Sequence, residues 1–264
     1  MVIRFGPAGL GPVKEAVENL VEYSRLGFSA CEIAFTYGVY IKKKEDALLI
    51  GKKAKELGIK LSIHAPYWVN LNSLEKAKVA ATKQRILECC KIGDILGAEC
   101  IVFHPGYYMK MDKEDTYNNI CDGIIDLMST VKKNGWKVKL CPEVMGKVNV
   151  FGSLDEISRL VDDTGCSFCI DFAHILARYK KVDYDLVNKK FGKNKKWHCH
   201  FSGIEYGDKG ERKHIKTPLG KWKELLSGLP NKGKGKSNDI TIINESPDMI
   251  EDSKAGLRVF KGMK

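Results

Sequence analysis

The feature that most constrains the fold of this chain is a repeated alternation between short apolar strands and amphipathic helical segments. Eight strand-like segments recur through the 264 residues, about 33 residues per repeat, which is close to the size of one βαβ unit. The predicted strands cover residues 2–5, 30–34, 60–64, 100–104, 138–143, 167–171, 197–201 and 240–245.

Helix-end signals between the strands support the same pattern. A long helix is predicted over residues 74–96, with Ser73 as its N-cap and Gly97 just past its end. Ser153 is predicted to cap a helix over residues 154–161. The first turn of that helix carries acids, which the positive end of the helix dipole favours.

This order of elements predicts an α/β fold, a single (β/α)8 TIM barrel domain over residues 1–264. An open doubly wound sheet is the alternative, and it is disfavoured because no GxGxxG sequence follows the first strand. The Gly- and Lys-rich residues 231–239 precede the eighth strand. On a barrel they lie at the N-terminal face, so we expect a solvated loop there rather than a phosphate-binding loop.

Composition indicates the class of protein and the compartment in which it is expected. Its 44% hydrophobic and 29% charged residues are typical of a globular protein, and no apolar run approaches the roughly 18 residues of a membrane helix. The first residues lack the pattern of a signal peptide, so we expect a cytoplasmic protein. The nine cysteines, including the CxxC of Cys166 and Cys169, lie mostly in apolar stretches and are predicted to be reduced, packed thiols.

Six consecutive predicted strands, the third to the eighth, carry a metal-ligand residue at or near their C-terminal ends. Barrel enzymes build their active sites at these ends. Crowded carboxylates need neutralisation by protons or a cation, and carboxylates mixed with imidazoles suit zinc or manganese. The six residues are His64, His104, Glu143, Asp171, His200 and Glu245.

Two further histidines are candidates for the same mouth. His174 follows Asp171 by three residues, and His214 lies in the long segment after the seventh strand. His198 shares a strand face with His200 but sits deeper, so it is predicted to be a packed histidine rather than a ligand. No GxSxG sequence and no Walker A loop is present, which disfavours a serine hydrolase and a P-loop enzyme.

The segments after the strands are rich in aromatic and basic residues, which favours a nucleic-acid partner. The formal net charge of +11, from 44 basic and 33 acidic residues, points weakly the same way. A solvated rim would explain the lysines but not the clustered aromatics. The residues concerned include Tyr37, Lys42, Tyr67, Trp68, Tyr107, Lys147, Arg178, Lys180, Tyr206 and Lys213.

At these residues the sequence resembles the endonuclease IV family of apurinic/apyrimidinic endonucleases. The resemblance spans the whole chain, and the order and spacing of its motifs fit one family. The motifs are SIHAPYWVNL around His64, FHPG from His104, PEVMGK around Glu143, CIDFAH ending at His174, HFSG around His200 and NESP around Glu245.

The resemblance implies a zinc centre of about two to three ions per chain, with Mn²⁺ as a substitute. A first metal would bind His64, His104 and Glu143. A second would bind Glu143 as a bridge, with Asp171, His200 and Glu245, and a third would bind His174 and His214 with an acid.

The chain departs from the family at that acid. The family places an Asp two residues before the histidine matched by His214, but Arg212 stands there. Glu211 or Asp208 could substitute, or the third metal could be absent. The segment after the second strand also lacks the family's DNA-penetrating sequence.

The resemblance implies hydrolysis of the phosphodiester 5′ to an abasic site in double-stranded DNA, by a protein that we expect to be a monomer. Glu143 and Glu245 would be catalytic, and Tyr67 and Trp68 would bind the DNA.

Two alternatives stay open. The first is a sugar isomerase or epimerase of the xylose isomerase-like superfamily, for which Glu143, Asp171, His200 and Glu245 would suffice as a single metal site. The second is a catalytically inactive DNA-binding barrel.

Overall fold

Parallel strands pair in sequence order around a closed barrel, which confirms the predicted TIM barrel fold. The structure is a computed structural model that describes residues 2–230 and 238–263. Its strands are β1 (Val2–Pro7), β2 (Ala30–Ala34), β3 (Lys60–His64), β4 (Cys100–Phe103), β5 (Lys139–Pro142), β6 (Cys169–Asp171), β7 (Lys196–Phe201), β8 (Gly203–Gly207), β9 (Gly210–Ile215) and β10 (Asp239–Asn244).

Helices follow the strands and cover the outside of the barrel. A short 3₁₀ turn at Val13–Glu15 precedes the first of them. The helices are α1 (Ala16–Arg25), α2 (Lys44–Glu56), α3 (Lys76–Leu96), α4 (Lys113–Lys133), α5 (Leu154–Thr164), α6 (Phe172–Tyr179), α7 (Tyr184–Phe191), α8 (Leu219–Gly228) and α9 (Met249–Gly262).

Strands β2 to β5 pair in order, and β6, β7, β10 and β1 form the other half of the barrel. A parallel bridge between Glu143 and Cys169 joins the halves on one side. On the other side the Ser29 amide donates to the Phe5 carbonyl at 3.1 Å. All eight carboxyl ends therefore meet at one mouth.

Strand alternation sorts the side chains into two layers. Outward residues such as Ile33, Ile63 and Trp197 join the main core between strands and helices. Inward residues line the barrel, where Val102 packs in a separate small cluster. The three cysteines that complete this cluster are Cys100, Cys141 and Cys169. The buried cysteines carry no disulfide, as predicted.

Strands β8 and β9 form an antiparallel hairpin outside the barrel, inserted between β7 and α8. It packs against α6 and against the segment after β5. Gly210 makes the second contact possible: its φ is +94°, and an added Cβ would lie 2.1 Å from the Gly146 carbonyl oxygen. The hairpin thereby lies over one side of the barrel mouth.

Several predicted boundaries need correction. Ser73 does not cap α3; the helix begins at Lys76 with Glu75 as N-cap, and the Ser73 hydroxyl accepts a hydrogen bond from the Glu75 amide. His104, Glu143 and Glu245 each lie one residue beyond the strand that the sequence predicts to contain it. Gly97 ends α3 with φ of 70°, as predicted.

Ser153 caps α5 through a capping box with Glu156, which confirms that prediction. The predicted loop at residues 231–239 lies mostly outside the described residues. Throughout residues 2–230 and 238–263, no helix is both long and apolar enough to cross a membrane.

Candidate metal centre

Glu143 lies at the centre of the barrel mouth, with histidines on both sides. Its Oε2 is 3.3 Å from His64 Nε2 and 3.2 Å from His104 Nε2. Its Oε1 is 3.1 Å from His200 Nδ1 and 3.4 Å from His174 Nδ1. One carboxylate thus faces two sets of nitrogen ligands, which is the arrangement of a bridging ligand.

All eight predicted ligands lie at this mouth, in groups with metal-ligand spacing. In each group the ligand atoms lie within 4.8 Å of one another. The groups are His64, His104 and Glu143; Glu143, Asp171, His200 and Glu245; and Asp171, His174 and His214. We call the first two of these groups the inner set, because their residues lie on or next to barrel strands.

The inner carboxylates are buried and charged. Burial raises the pKa of Glu143, but the charge of His200 and hydrogen bonds from His104 and His64 lower it by more. The pKa of Glu143 therefore lies well below its usual value. Burial likewise raises the pKa of Glu245, and His200 outweighs this and brings it to about 2. Two ionised carboxylates in one buried pocket require cationic partners.

Asp171 has the surroundings of a metal ligand. Its Oδ1 caps α6 by accepting from the His174 amide at 2.8 Å, but its buried Oδ2 has no hydrogen-bond partner. Burial raises the pKa of this carboxyl against the attraction of His174. A buried carboxylate oxygen without a donor, facing Glu143, His200 and Glu245, suits a metal ligand.

His64 and His200 each direct one ring nitrogen towards Glu143. His64 Nδ1 lies 2.7 Å from the Ala65 carbonyl, to which it can donate, which leaves Nε2 facing Glu143. His200 presents Nδ1 to Glu143 and, at 3.4 Å, to Glu245. Burial lowers the pKa of both histidines, but the surrounding carboxylates raise it above its usual value.

The third group contains His174 and His214, and Glu211 lies next to His174; we call His174, Glu211 and His214 the outer set. His174 Nε2 lies 3.3 Å from Glu211 Oε2, and the His174 and His214 ring centroids are 5.4 Å apart. Of the two acids that the sequence leaves open, Glu211 is the one in contact with His174. Burial lowers the pKa of His174, but Asp171, Glu143 and Glu211 raise it to about 9.

A bulge in the hairpin explains how Glu211 reaches His174. Glu205 pairs with Lys213 but Tyr206 pairs with Glu211, so Arg212 is an extra residue in β9. In a regular strand, residues three apart face opposite sides. The extra residue places Glu211 and His214 on one face, while the Arg212 guanidinium lies against Gly207.

Glu32 is a functional candidate that the sequence reasoning missed. It is fully buried in β2, and Ser62 donates to its Oε2 at 2.8 Å. His198 Nε2 lies 2.9 Å from the same oxygen, in the deeper inward position predicted for it. An acid within the apolar segment ACEIA was the available signal.

Cys169 also lies within 4.8 Å of His198 and His200 ligand atoms. Burial raises the pKa of its thiol well above the usual value, although His200 opposes this. A metal ligand must be the thiolate, so the chemistry agrees with a packed thiol, as predicted.

The ligands surround a cavity of about 320 Å³ that Tyr67 also lines. The Tyr67 ring stacks on His104 with centroids 5.4 Å apart, and burial raises its pKa. Trp68 is 46% exposed on the rim beside Tyr37. Of the two predicted DNA-binding residues, Tyr67 therefore lines the cavity, and Trp68 follows it in the chain with an exposed ring.

Two rim cations donate hydrogen bonds to backbone carbonyls of neighbouring segments. Arg178 donates to the Lys147 carbonyl at 2.7 Å and to the Val150 carbonyl at 3.1 Å. Lys180 lies 4.9 Å from the Tyr206 ring centroid and donates to the Ala177 and Gly207 carbonyls. Part of the donor capacity of these two cations is therefore used within the fold.

The fold and the ligand groups agree with a known family. The family model described as xylose isomerase-like TIM barrel matches residues 20–261. The chain belongs to this family. Within it, an uncharacterized protein of Methanocaldococcus jannaschii is 37% identical over 96% of this chain and 95% of its own length. A probable endonuclease 4 of Ureaplasma urealyticum serovar 10 is 25% identical over 72% of this chain and 64% of its length.

Solved structures of different activities share the barrel. A protein titled SacUVDE superposes with a TM-score of 0.75 at 17% identity, covering 100% of this chain and 99% of that one. A D-tagatose 3-epimerase-like protein gives 0.72 at 19%, covering 98% and 97%. Endonuclease IV from Thermus thermophilus gives 0.71 at 20%, covering 98% of both chains. At these identities the likeness shows the fold alone.

Proposed function

We propose that this chain is a divalent-metal-dependent phosphodiesterase that cleaves double-stranded DNA on the 5′ side of abasic sites. The observation that carries the proposal is that Glu143 faces separate ligand groups with its two oxygens. A sugar epimerase of this fold would need only one group. Here His64 and His104 form a second group with Glu143, and His174 and His214 form a third with Asp171.

The residues present fit divalent metal ions. The unpartnered Asp171 oxygen and the ionised Glu143 and Glu245 supply negative charge, and the imidazoles supply nitrogen ligands. Neutral imidazole and carboxylate together favour zinc, with manganese as a substitute. Such ions, when bound, lower the pKa of water and polarise phosphoryl oxygens, and paired ions stabilise both attacking and leaving oxygens.

The protein side chains have distinct tasks in this proposal. Glu143 holds two ligand groups at a fixed separation. Glu245, with a pKa of about 2, remains a carboxylate and acts through its charge rather than by carrying a proton. Tyr67 keeps its proton because burial raises its pKa, so its hydroxyl can donate a hydrogen bond to a phosphate oxygen at the mouth.

The rim suits a strand opened at a lesion. A cavity of about 320 Å³ admits a short part of a strand, not a duplex. Tyr67 lines this cavity, and the exposed ring of Trp68, the next residue, lies 6.0 Å from that of Tyr37, so the two rings are available to stack on bases. An abasic sugar-phosphate carries no base, so it enters without displacing these rings.

The decisive experiment uses a duplex with one abasic analogue and a matched undamaged duplex. We expect a nick on the 5′ side of the lesion that a chelator abolishes and added Zn²⁺ or Mn²⁺ restores. The undamaged duplex should stay intact. Absence of a chelator-sensitive nick at any tested metal concentration would overturn the proposal.

A second candidate function is ketose epimerisation, which the complete group of Glu143, Asp171, His200 and Glu245 favours. His104→Ala separates the two functions because His104 belongs only to the first ligand group. Loss of nicking in this variant supports the phosphodiesterase. Turnover of a ketohexose by both the wild-type chain and this variant, without nicking, would instead support the epimerase.

A further inference from the structure

Glu32 lies directly beneath the inner set and touches one of its histidines. Its Oε1 is 2.9 Å from His200 Nε2, on the opposite side of the ring from Glu143. Its other oxygen accepts from Ser62 and contacts His198 Nε2 at 2.9 Å. The side chain is completely excluded from solvent.

The position of this carboxylate is fixed from several strands. Ser62 lies on β3, beside β2, and both histidines lie on β7 across the barrel. The outward neighbours of Glu32 in β2, Cys31 and Ile33, belong to the apolar core. Because a buried carboxylate is costly without partners, packing alone does not account for an acid at this position.

The chemistry of a carboxylate determines how His200 is used. An ionised carboxylate only accepts hydrogen bonds, so it favours the tautomer with the proton on Nε2. The lone pair of Nδ1 then faces Glu143 at 3.1 Å and Glu245 at 3.4 Å. Metal-binding histidines commonly donate their second N–H to a carboxylate in this way.

The contact between Glu32 and His200 is close but is not aligned as a hydrogen bond. Both Glu32 Oε1 and His200 Nε2 are buried, and neither makes an in-line hydrogen bond despite the separation of 2.9 Å. Hydrogen bonds at functional sites often align only when the site is loaded. At a separation of 2.9 Å, a change in the orientation of the His200 ring would be enough to align this pair.

We propose that Glu32 is a positioning residue of the metal centre, which orients His200 so that Nδ1 is available to the second metal. The inference rests on the metal-binding part of the proposed function and not on its DNA substrate. According to this inference, Glu32 increases the metal affinity of the centre although it is not itself a ligand.

The test measures metal binding by the folded chain rather than turnover. Glu32→Gln keeps the volume, but an amide cannot accept from both histidines. We expect the affinity for one zinc ion to fall about 10- to 100-fold in a chelator competition assay. The absorption spectrum of bound Co²⁺ should shift, because it reports ligand geometry.

Asp252→Asn is the matched control. Asp252 is also fully buried and accepts from Thr217 and Trp222, but it does not touch the metal ligands. We expect this variant to lose thermal stability and to keep the wild-type zinc affinity and Co²⁺ spectrum. Cys169→Ala, which removes a thiol near His200, should also keep the wild-type zinc affinity and Co²⁺ spectrum.

If Glu32→Gln does not fold, Ser62→Ala weakens the same carboxylate by one donor, and we expect about a fivefold loss of zinc affinity. Wild-type affinity and spectrum in folded Glu32→Gln would overturn the role of Glu32 while leaving the phosphodiesterase proposal intact. A loss in Cys169→Ala equal to that in Glu32→Gln would overturn it as well. If the wild-type chain does not nick DNA but Glu32→Gln binds zinc more weakly than wild type, the role of Glu32 is supported and DNA is rejected as the substrate.

Discussion

The inner and outer sets use the same ligand chemistry but are held by different kinds of structure. Inner residues such as Glu143, Asp171 and His200 lie on or next to parallel barrel strands and are almost completely buried. Outer residues lie on α6 and on an inserted hairpin, and the Glu211 side chain is 19% exposed. Barrel pairing fixes the first set, whereas the local register of one hairpin fixes the second.

The difference means that the outer set can change without disturbing the barrel. Glu143 is joined through its backbone to Cys169, so moving it would break the pairing between two barrel strands. Glu211 depends instead on one extra residue in β9. We therefore expect the inner set to control activity and the outer set to modulate it.

The largest effect is expected from Glu143→Ala. This change removes the residue shared by the first two ligand groups, so the metal count should fall from about three to about one per chain. Nicking should fall about a thousandfold or more, because the electrostatic stabilisation of the reaction is lost. Elemental analysis and the abasic-duplex assay measure the two results. A variant with an unchanged metal count would remove the basis for separating the sets.

A smaller effect is expected from Glu211→Ala, which removes one outer ligand. We expect loss of one metal and about a 10- to 100-fold fall in nicking, with the inner metals retained. Arg212→Ala is the control, because Arg212 lies against Gly207 and away from the ligands. If Arg212→Ala lost a metal ion and Glu211→Ala kept all of them, the hairpin would have a different register.

Acidification provides a third measurement. His174 has a pKa of about 9, above its usual value, so it is protonated at neutral pH in the metal-free chain. A metal must displace that proton, and affinity at the outer set should fall about tenfold for each pH unit below 9. Zinc titrations of wild-type and Glu211→Ala chains between pH 6 and 9 compare the sets. A pH-independent outer affinity would contradict this explanation.

The smallest effect is expected from Trp68→Ala on the rim. Its ring is 46% exposed and touches no ligand, so the metal content should not change. Loss of one stacking contact should weaken binding to abasic duplex severalfold. Leu48→Ala, a change at an exposed apolar position of α2, is the control. Equal weakening in both variants, measured by fluorescence anisotropy, would rule out a specific role for Trp68.

The same contrast explains how much could be predicted from sequence. Strand periodicity and the rule that barrel chemistry lies at strand ends were enough to place His64, His104 and Asp171 together. Strand boundaries were missed by a residue or two because the last residues of a strand and the first of a loop look alike. Ser73 was mistaken for a cap because it precedes α3 closely, although Glu75 holds that position.

Two features could not be predicted because they depend on contacts across the fold. Glu32 faces His200 only when β2 and β7 are placed on opposite sides of one barrel. Residue alternation alone puts Glu211 and His214 on opposite faces of β9. Only the pairing with β8 reveals the bulge that turns them to the same side.

The bulge at Arg212 has an evolutionary consequence. Gain or loss of one codon in β9 would exchange the side chains that face the metals, and no barrel strand would have to shift its register. A lineage could therefore acquire or lose its outermost ion in a single step. Substrate preference could drift at this hairpin while the inherited barrel and its innermost ligands stayed the same.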